Sequence, residues 1–415
     1  MAEAAPLRIC MVTTFYPPYH FGGDAMFVQR LSEALAERGH SVDVVHSVDA
    51  YQLQHPGEPE IAFQQHPRVR RHELRSRRPA LAALAAHQLG TPSAYRAPLR
   101  RVLESAPYDA IHFHNISLMG GPGVLRLGRA PKLYTANEYW LICPTHVLFR
   151  NNSEACRERT CLACTVLHYR RPPQLWRSLG ALSSALREVA WLLFPSAFAL
   201  EQHRAAGIDR PMKHLPYFIP EPEPPRDEAA VHPRPFFLIV GRIEKLKGIQ
   251  DVIALFAEYR QADLVIVGAG AYQADLERAA AGLSHVSFTG ALHPSKLSAY
   301  YRQALAVLVP SLCYETFGLT AAEAMSHGTP AVVRRIGALA ENVSQSGGGL
   351  AFESLGECRD ALESLRTDGE RRRALGASGR AYYERHWSAD AHLPRYLELV
   401  RGLKETARTG DPGTG

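Results

Sequence analysis

The chain of 415 residues is two to three times the usual domain length, so two domains are expected, and its 46% hydrophobic and 21% charged content excludes disorder for most of the sequence. A net charge of +6 is too small by itself to mark a nucleic-acid binder. The longest near-apolar stretch, Val189 to Leu200, is broken by Pro195 and falls short of the roughly 20 residues of a spanning helix, and no basic region precedes a long apolar run at the N-terminus, so a cytoplasmic chain without transmembrane helix or leader is expected.

Branched apolar runs alternate with helix-period stretches, the pattern of parallel βαβ units. The spacing predicts a strand over Leu7–Thr13, a loop at Phe21-Gly22-Gly23, and a helix capped by Asp24 that buries Val28, Leu31 and Leu35 and stops at Gly39. Further strands are predicted at Ser41–His46, Asp109–His114, Lys132–Thr135 and Val189–Phe194, the last leading into a helix begun by Ser196. Between them, His66–Arg78 holds six arginines, Arg68, Arg70, Arg71, Arg75, Arg77 and Arg78, offset only by Glu73. A solvated face is the plain expectation; the run also suits a phosphorylated acceptor or anionic headgroups, while the lack of interleaved aromatics argues against single-stranded nucleic acid. His112 and His114, two apart on a strand, face the same side at the cleft edge, where they could touch an acceptor, and a packing role fits His112 equally well.

Cys143, Cys156, Cys161 and Cys164 place four of the seven cysteines within 22 residues of a polar, arginine-rich stretch. In a reducing compartment this suggests a structural tetrathiolate zinc site stapling an insertion at 143–172 that has little core of its own. An iron–sulfur cluster fits less well, because the fourth cysteine precedes the other three; unpaired or disulfide-forming thiols are the remaining alternative.

Pro216–Pro235 contains seven prolines and four carboxylates and reads as an extended linker. Beyond it, strands predicted at Phe236–Val240, Leu264–Val267, Val286–Phe288, Ala306–Val309 and Ala331–Val333 again have doubly wound spacing. Two such α/β domains would open a ligand cleft between the carboxyl ends of their sheets. Gly268-Ala269-Gly270 follows a strand like a dinucleotide fingerprint, but Gln273 stands where the third glycine belongs, so a tight turn is expected rather than a NAD site.

Glu315 and Glu323 stand eight positions apart. A helix beginning near Gly318 would leave Glu315 in the preceding loop and Glu323 inside the helix. The free amides of Phe317, Gly318 and Leu319 then suit an anionic group and the inner carboxylate suits vicinal hydroxyls, making phosphate and sugar the natural ligand pair. Capping by Glu315 and solvation of Glu323 are the plain alternative.

From Ile9 to about Tyr396 the chain resembles the retaining glycosyltransferases of family 4. The likeness rests on the E-x7-E segment Glu315–Glu323 with its trailing Ala324-Met-Ser-His-Gly-Thr-Pro330, on Val240-Gly-Arg242-Ile-Glu-Lys-Leu-Lys247-Gly248, and less specifically on Gly22-Gly23 and Ser378-Gly-Arg380-Ala-Tyr-Tyr383. It implies the GT-B fold of two Rossmann-like domains: an acceptor-side domain at 1–219, a linker at 220–234, a donor domain at 235–385, and a helix at 386–405 packing back on the first domain. It further implies transfer of a sugar from a nucleotide-diphosphate donor to a hydroxyl acceptor with retention of configuration. Arg242 and Lys247 would bind the diphosphate and Glu323 the ribose hydroxyls, with Glu315 beside the transferred sugar; amides at Phe317, Gly318, Leu319, Gly22 and Gly23 would complete the contacts.

Two fixed cations can stabilise a departing diphosphate without metal, and no Asp-x-Asp occurs, so no catalytic cofactor is expected. Where the family usually carries a histidine in a Thr-x-His-Asp type sequence, this chain has Thr135-Ala136-Asn137-Glu138. Asn137 cannot shuttle a proton but can donate an amide hydrogen bond on the acceptor side, alongside His114 and Asn115. A GT-B epimerase or phosphorylase, or a non-catalytic nucleotide-sugar binder, are the alternatives. Residues 1–219 hold 25 basic and 17 acidic side chains, the linker 2 and 4, and residues 235–415 hold 20 of each. The first domain is therefore expected to meet an anionic acceptor, or the inner membrane face peripherally.

Overall fold

The computed structural model describes residues 5–55, 57–59, 65–224 and 229–409. In the first half the strands are β1 (Arg8–Val12), β2 (Ser41–Ser47), β3 (Val69–Leu74), β4 (Ala110–Phe113), β5 (Lys132–Thr135), β6 (Phe149–Arg150), β7 (Glu154–Ala155), β8 (Trp191–Phe194) and β9 (Met212–His214). The second half contributes β10 (Phe236–Val240), β11 (Asp263–Val267), β12 (Val286–Gly290), β13 (Val307–Val309), β14 (Ala331–Arg334) and β15 (Gly349–Phe352). Among the described residues the first sheet runs β3-β2-β1-β4-β5-β8-β9 and the second β12-β11-β10-β13-β14-β15. The pairings within both are parallel. Ile9–Val12, β4, β11 and β13 are buried throughout, as strands covered by helices on both faces must be.

In each sheet the strand order reverses beside its first strand, which leaves a crevice at the carboxyl ends. The loops after β1, β5, β10 and β13 carry Gly22, Asn137, Lys247 and Glu315 respectively. The first helix spans Gly23–Glu37 with Gly22 as its N-cap, so Asp24 lies in the first turn rather than at the capping position. Ser196 does cap the helix Ala197–Ala205, accepting from the Ala199 amide at 3.1 Å.

The arginine run holds a strand that periodicity does not reveal. β3 buries only Val69 and Leu74, and its arginines line the sheet edge, where charge discourages pairing with another chain. Residues 225–228 of the linker lie outside the described residues. The segment before them is packed: Tyr217, Phe218 and Ile219 are buried, and the Ile219 amide donates to the Trp387 carbonyl at 2.8 Å. The helix Ala389–Thr409 lies against the first domain through His392 on the Pro216 carbonyl (2.7 Å), Tyr396 on His112 (3.1 Å) and Lys404 on Asp109 (2.6 Å). None of the helices in the described residues is long and apolar enough to cross a membrane.

Gly268 (φ +141°) fills the tight turn after β11: a Cβ there would stand 1.9 Å from the Gly241 carbonyl oxygen. Gly268→Ala should therefore destabilise the chain by about 2–4 kcal/mol, read as a lower urea midpoint at unchanged slope. A wild-type midpoint would refute the close approach of the two turns.

Candidate active site

Glu315 lies in the loop between β13 and the helix Leu319–Ser326, whose N-cap Gly318 is left-handed at φ +87°. Its carboxylate accepts from Lys247 Nζ at 2.6 Å and Ser311 Oγ at 2.7 Å. Lys247 ends a short turn, Lys245–Lys247, and a Cβ on the following Gly248 would sit 2.2 Å from the Pro310 carbonyl oxygen. That contact, with the Leu312 amide on the Leu246 carbonyl at 2.8 Å, holds the two loops side by side and brings the ion pair together. Burial alone would raise the Glu315 carboxyl, but Lys247 and Ser311 hold it below the ordinary carboxylate range. Lys247 is correspondingly raised by Glu315 against its own desolvation. The pair is a fixed, ionised unit with side-chain exposures of 26% and 20%.

Glu323 is not a solvated helix position. Tyr301 donates to one carboxylate oxygen at 2.9 Å, and Arg30, from the first helix of the opposite domain, reaches the other at 3.2 Å. The cleft is equally close at Gly23, where a Cβ would stand 2.5 Å from Leu319 Cδ1. Gly22-Gly23 and the N-terminus of the Leu319–Ser326 helix thus face each other. Arg242 is more open, its side chain 54% exposed and paired with Glu244 at 2.8 Å, yet its charge acts on Glu315, Lys247 and Asp24. Phe317 is buried between Tyr217 and Trp387, at ring-centroid distances of 5.3 and 5.5 Å.

In the first domain, Asn137 is occupied by the protein itself. Tyr217 donates to its Oδ1 at 2.8 Å, its Nδ2 lies 3.4 Å from His114 Nδ1, and its backbone carbonyl accepts from Thr316 at 3.0 Å. Burial drives His114 down to about 3, so its ring is neutral. His112 is held between Tyr396 and Thr135, which assigns it to packing. Asn115 accepts from Ser117 and turns its amide toward Asp24 at 3.5 Å.

Asp24, Arg30, Glu138, Ser311 and Tyr301 bond to or act on the candidate residues or one another and were not expected there from the sequence. Asp24 carried a readable signal, since it directly follows Gly22-Gly23. Burial, then the charge of Glu138, raises its carboxyl from 3.8 to about 6. Glu138 itself pairs with His146 at 2.9 Å. The cysteines Cys143, Cys156, Cys161 and Cys164 are free thiols that line a single small cavity, away from the E-x7-E helix. Among the described residues no three Cys, His, Asp or Glu side chains stand as a ready-made metal shell.

Two parallel α/β domains closing on paired carboxylates, fixed cations and a helix N-terminus define a GT-B glycosyltransferase architecture. Residues 22–217 match the family described as glycosyl transferase 4-like domain, and residues 221–382 the one described as glycosyl transferases group 1. The chain belongs to this family 4-like group of glycosyltransferases. A glycogen synthase of Mycobacterium tuberculosis is 27% identical over 438 residues, covering 96% of each chain. A GDP-mannose-dependent alpha-(1-6)-phosphatidylinositol monomannoside mannosyltransferase of the same species is 26% identical over 55% of this chain and 66% of its own. Among solved structures, sucrose-phosphate synthase from Thermosynechococcus elongatus superposes with a TM-score of 0.72 at 21% identity, over 96% of this chain and 99% of that one. HepE from Anabaena in complex with UDP-glucose gives 0.67 at 16% identity, over 97% and 100%. The fold expected from the sequence is the fold observed.

The raised carboxyl of Asp24 has a definite sign. Its neutral form is favoured by folding, so the stabilisation is complete below about pH 3.8 and is lost as pH rises through about 6. Asp24→Asn should match wild type near pH 4 and exceed it by about 2 kcal/mol above about pH 6.5 in urea unfolding. Parallel pH profiles would overturn the assignment.

Proposed function

We propose that the chain transfers a glycosyl group from a nucleotide-diphosphate sugar to a hydroxyl acceptor, with retention of anomeric configuration and without a catalytic metal. The observation that carries this reading is the Lys247–Glu315 pair at 2.6 Å, set beside the N-terminus of the Leu319–Ser326 helix with Glu323 inside it. A nucleotide-sugar donor is supported by the GDP-mannose-dependent relative and by the UDP-glucose complex of HepE.

Arg242, Lys247 and the helix amides supply positive potential for a diphosphate, and these preorganised charges act where the leaving group gains its charge. The acceptor oxygen attacks the anomeric carbon from the face of the departing phosphate. The glycosidic C–O bond breaks with its electron pair passing to the phosphate oxygen, which takes the acceptor proton. No protein base is needed in that scheme, in keeping with the engaged Asn137 amide and the neutral His114. Glu315, kept ionised by Lys247, accepts from hydroxyls of the transferred sugar, while Glu323 exchanges its Arg30 contact for the ribose hydroxyls. The +8 charge of residues 1–219 and the exposed Arg68, Arg70, Arg77 and Arg78 support an anionic acceptor, presented free or at the inner membrane face.

Purified protein incubated with labelled UDP, GDP and ADP sugars should release nucleotide only when acceptor is present, give a product with the donor's anomeric configuration, and gain nothing from added Mg²⁺ or Mn²⁺. Lys247→Ala should lower kcat by about 10²–10³-fold, and Glu323→Ala should raise the donor KM by about tenfold with a smaller effect on kcat. Unchanged kinetics in both variants would sink the site assignment. Nucleotide binding without turnover across a broad acceptor panel would mark a non-catalytic binder, and donor conversion without acceptor an epimerase.

A further inference from the structure

We propose that Cys143, Cys156, Cys161 and Cys164 bind one Zn²⁺ as a tetrathiolate that fixes the 143–172 insertion against the acceptor-side loop. The four cysteines come from separate pieces of local structure. Cys143 follows the turn Tyr139–Leu141, Cys156 closes the β6–β7 hairpin through its amide on the Leu148 carbonyl (2.8 Å), and Cys161 and Cys164 lie three apart on consecutive helical turns. All four nevertheless line one cavity of ≈ 20 Å³. That volume accommodates a single ion. Four thiolates around one ion is the donor set and number that zinc takes in closed structural sites.

Three independent features fit a metal-stapled segment. The Asn151 amide already donates to Cys164 Sγ at 3.2 Å, an arrangement that favours a sulfur carrying negative charge. The non-glycine residues at positive φ among those described, His146, Leu148, Asn151, Asn152 and Arg170, all fall inside the insertion. Leu162 and Leu167 are 68% and 70% exposed, and beyond the buried Leu148 and Phe149 the 157–172 part of the insertion buries only Cys164 and Thr165, so that part has little apolar core to hold it. Arg177, whose guanidinium lies 4.4 Å from the Trp176 ring centroid and donates to the Leu141 carbonyl at 3.2 Å, is a cation close enough to Cys143 and Cys161 to act on them electrostatically. Zinc entry is not a redox step: side-chain rotation brings the sulfurs together, each thiol releases its proton to solvent, and the Zn(S-Cys)₄ unit carries a charge of −2. The consequence reaches the cleft, because the Cys143 amide donates to the Tyr139 carbonyl at 2.7 Å and the Tyr139 hydroxyl to the Glu315 carbonyl at 3.1 Å.

Full-length protein purified without chelator should contain one zinc and no iron per chain by elemental analysis. After chelator stripping under reducing conditions, one equivalent of Zn²⁺ should protect four thiols from Ellman's reagent, and Co²⁺ should give the ligand-field spectrum of a tetrahedral tetrathiolate. The double variant Cys161→Ser/Cys164→Ser should lose the zinc. Failure of excess Zn²⁺ to protect any thiols, iron with acid-labile sulfide in the isolated protein, or a disulfide in its intact mass would each overturn the proposal. The wild-type titration decides the matter even where the double variant does not fold.

Discussion

The loop from Glu315 to Gly318 depends on one constraint: its carbonyls, withdrawn from the sheet, still need donors. The donors come from both halves of the molecule. Tyr139 serves the Glu315 carbonyl, Ser196 the Thr316 carbonyl at 2.7 Å, and Asn342 the Phe317 carbonyl at 2.5 Å. Phe317 adds an apolar anchor, continuing a ladder of rings from Phe27 through Tyr217, 4.0 Å apart, to Trp387. The E-x7-E segment is therefore also a seam between the domains. Its geometry is preformed because moving it would strip several buried polar groups at once.

Electrostatics at the seam follow the same logic of fixed partners. Lys247 lies 2.6 Å from Glu315, so the carboxylate does not stand in the site as an uncompensated negative charge. Arg30 and Glu323 make a second pair, but across the cleft and at a looser 3.2 Å. The two pairs differ in consequence. The first lies within one domain and survives any relative motion of the two halves, whereas the second must break or rearrange if the cleft opens. Domain opening and access to Glu323 are thus coupled by geometry.

Much of this architecture was legible in the sequence. The run Phe236–Val240 is wholly apolar and almost wholly buried, so its hydrophobicity alone marks it, and the observed strand has the same limits. β3 escaped because an edge strand rich in arginine presents only two buried apolar residues, and β15 because it is four residues long and begins at a glycine. At the site, the Glu315–Glu323 spacing was readable because it depends only on helix geometry. Arg30, 293 positions from Glu323, was not, since nothing in a linear pattern encodes a contact across the cleft. Asp24 shows a different failure. Its residue type suits a cap, but Gly22 takes that position at φ +92°, and the aspartate is left as a half-buried carboxyl raised to about 6.

On the first domain's side of the cleft, Asn137 stands where a histidine was expected. A histidine there could accept a proton; an asparagine whose oxygen is taken by Tyr217 and whose nitrogen faces His114 can only position its neighbours. His114 offers no substitute, because burial keeps it near 3 and a base that weak cannot draw a proton from a hydroxyl at neutral pH. On the proposed reaction the acceptor's proton must therefore go to the group that becomes most basic as the bond breaks, the departing phosphate oxygen. The protein's task is then to hold acceptor and donor on one face, which rigid elements do better than a titrating side chain.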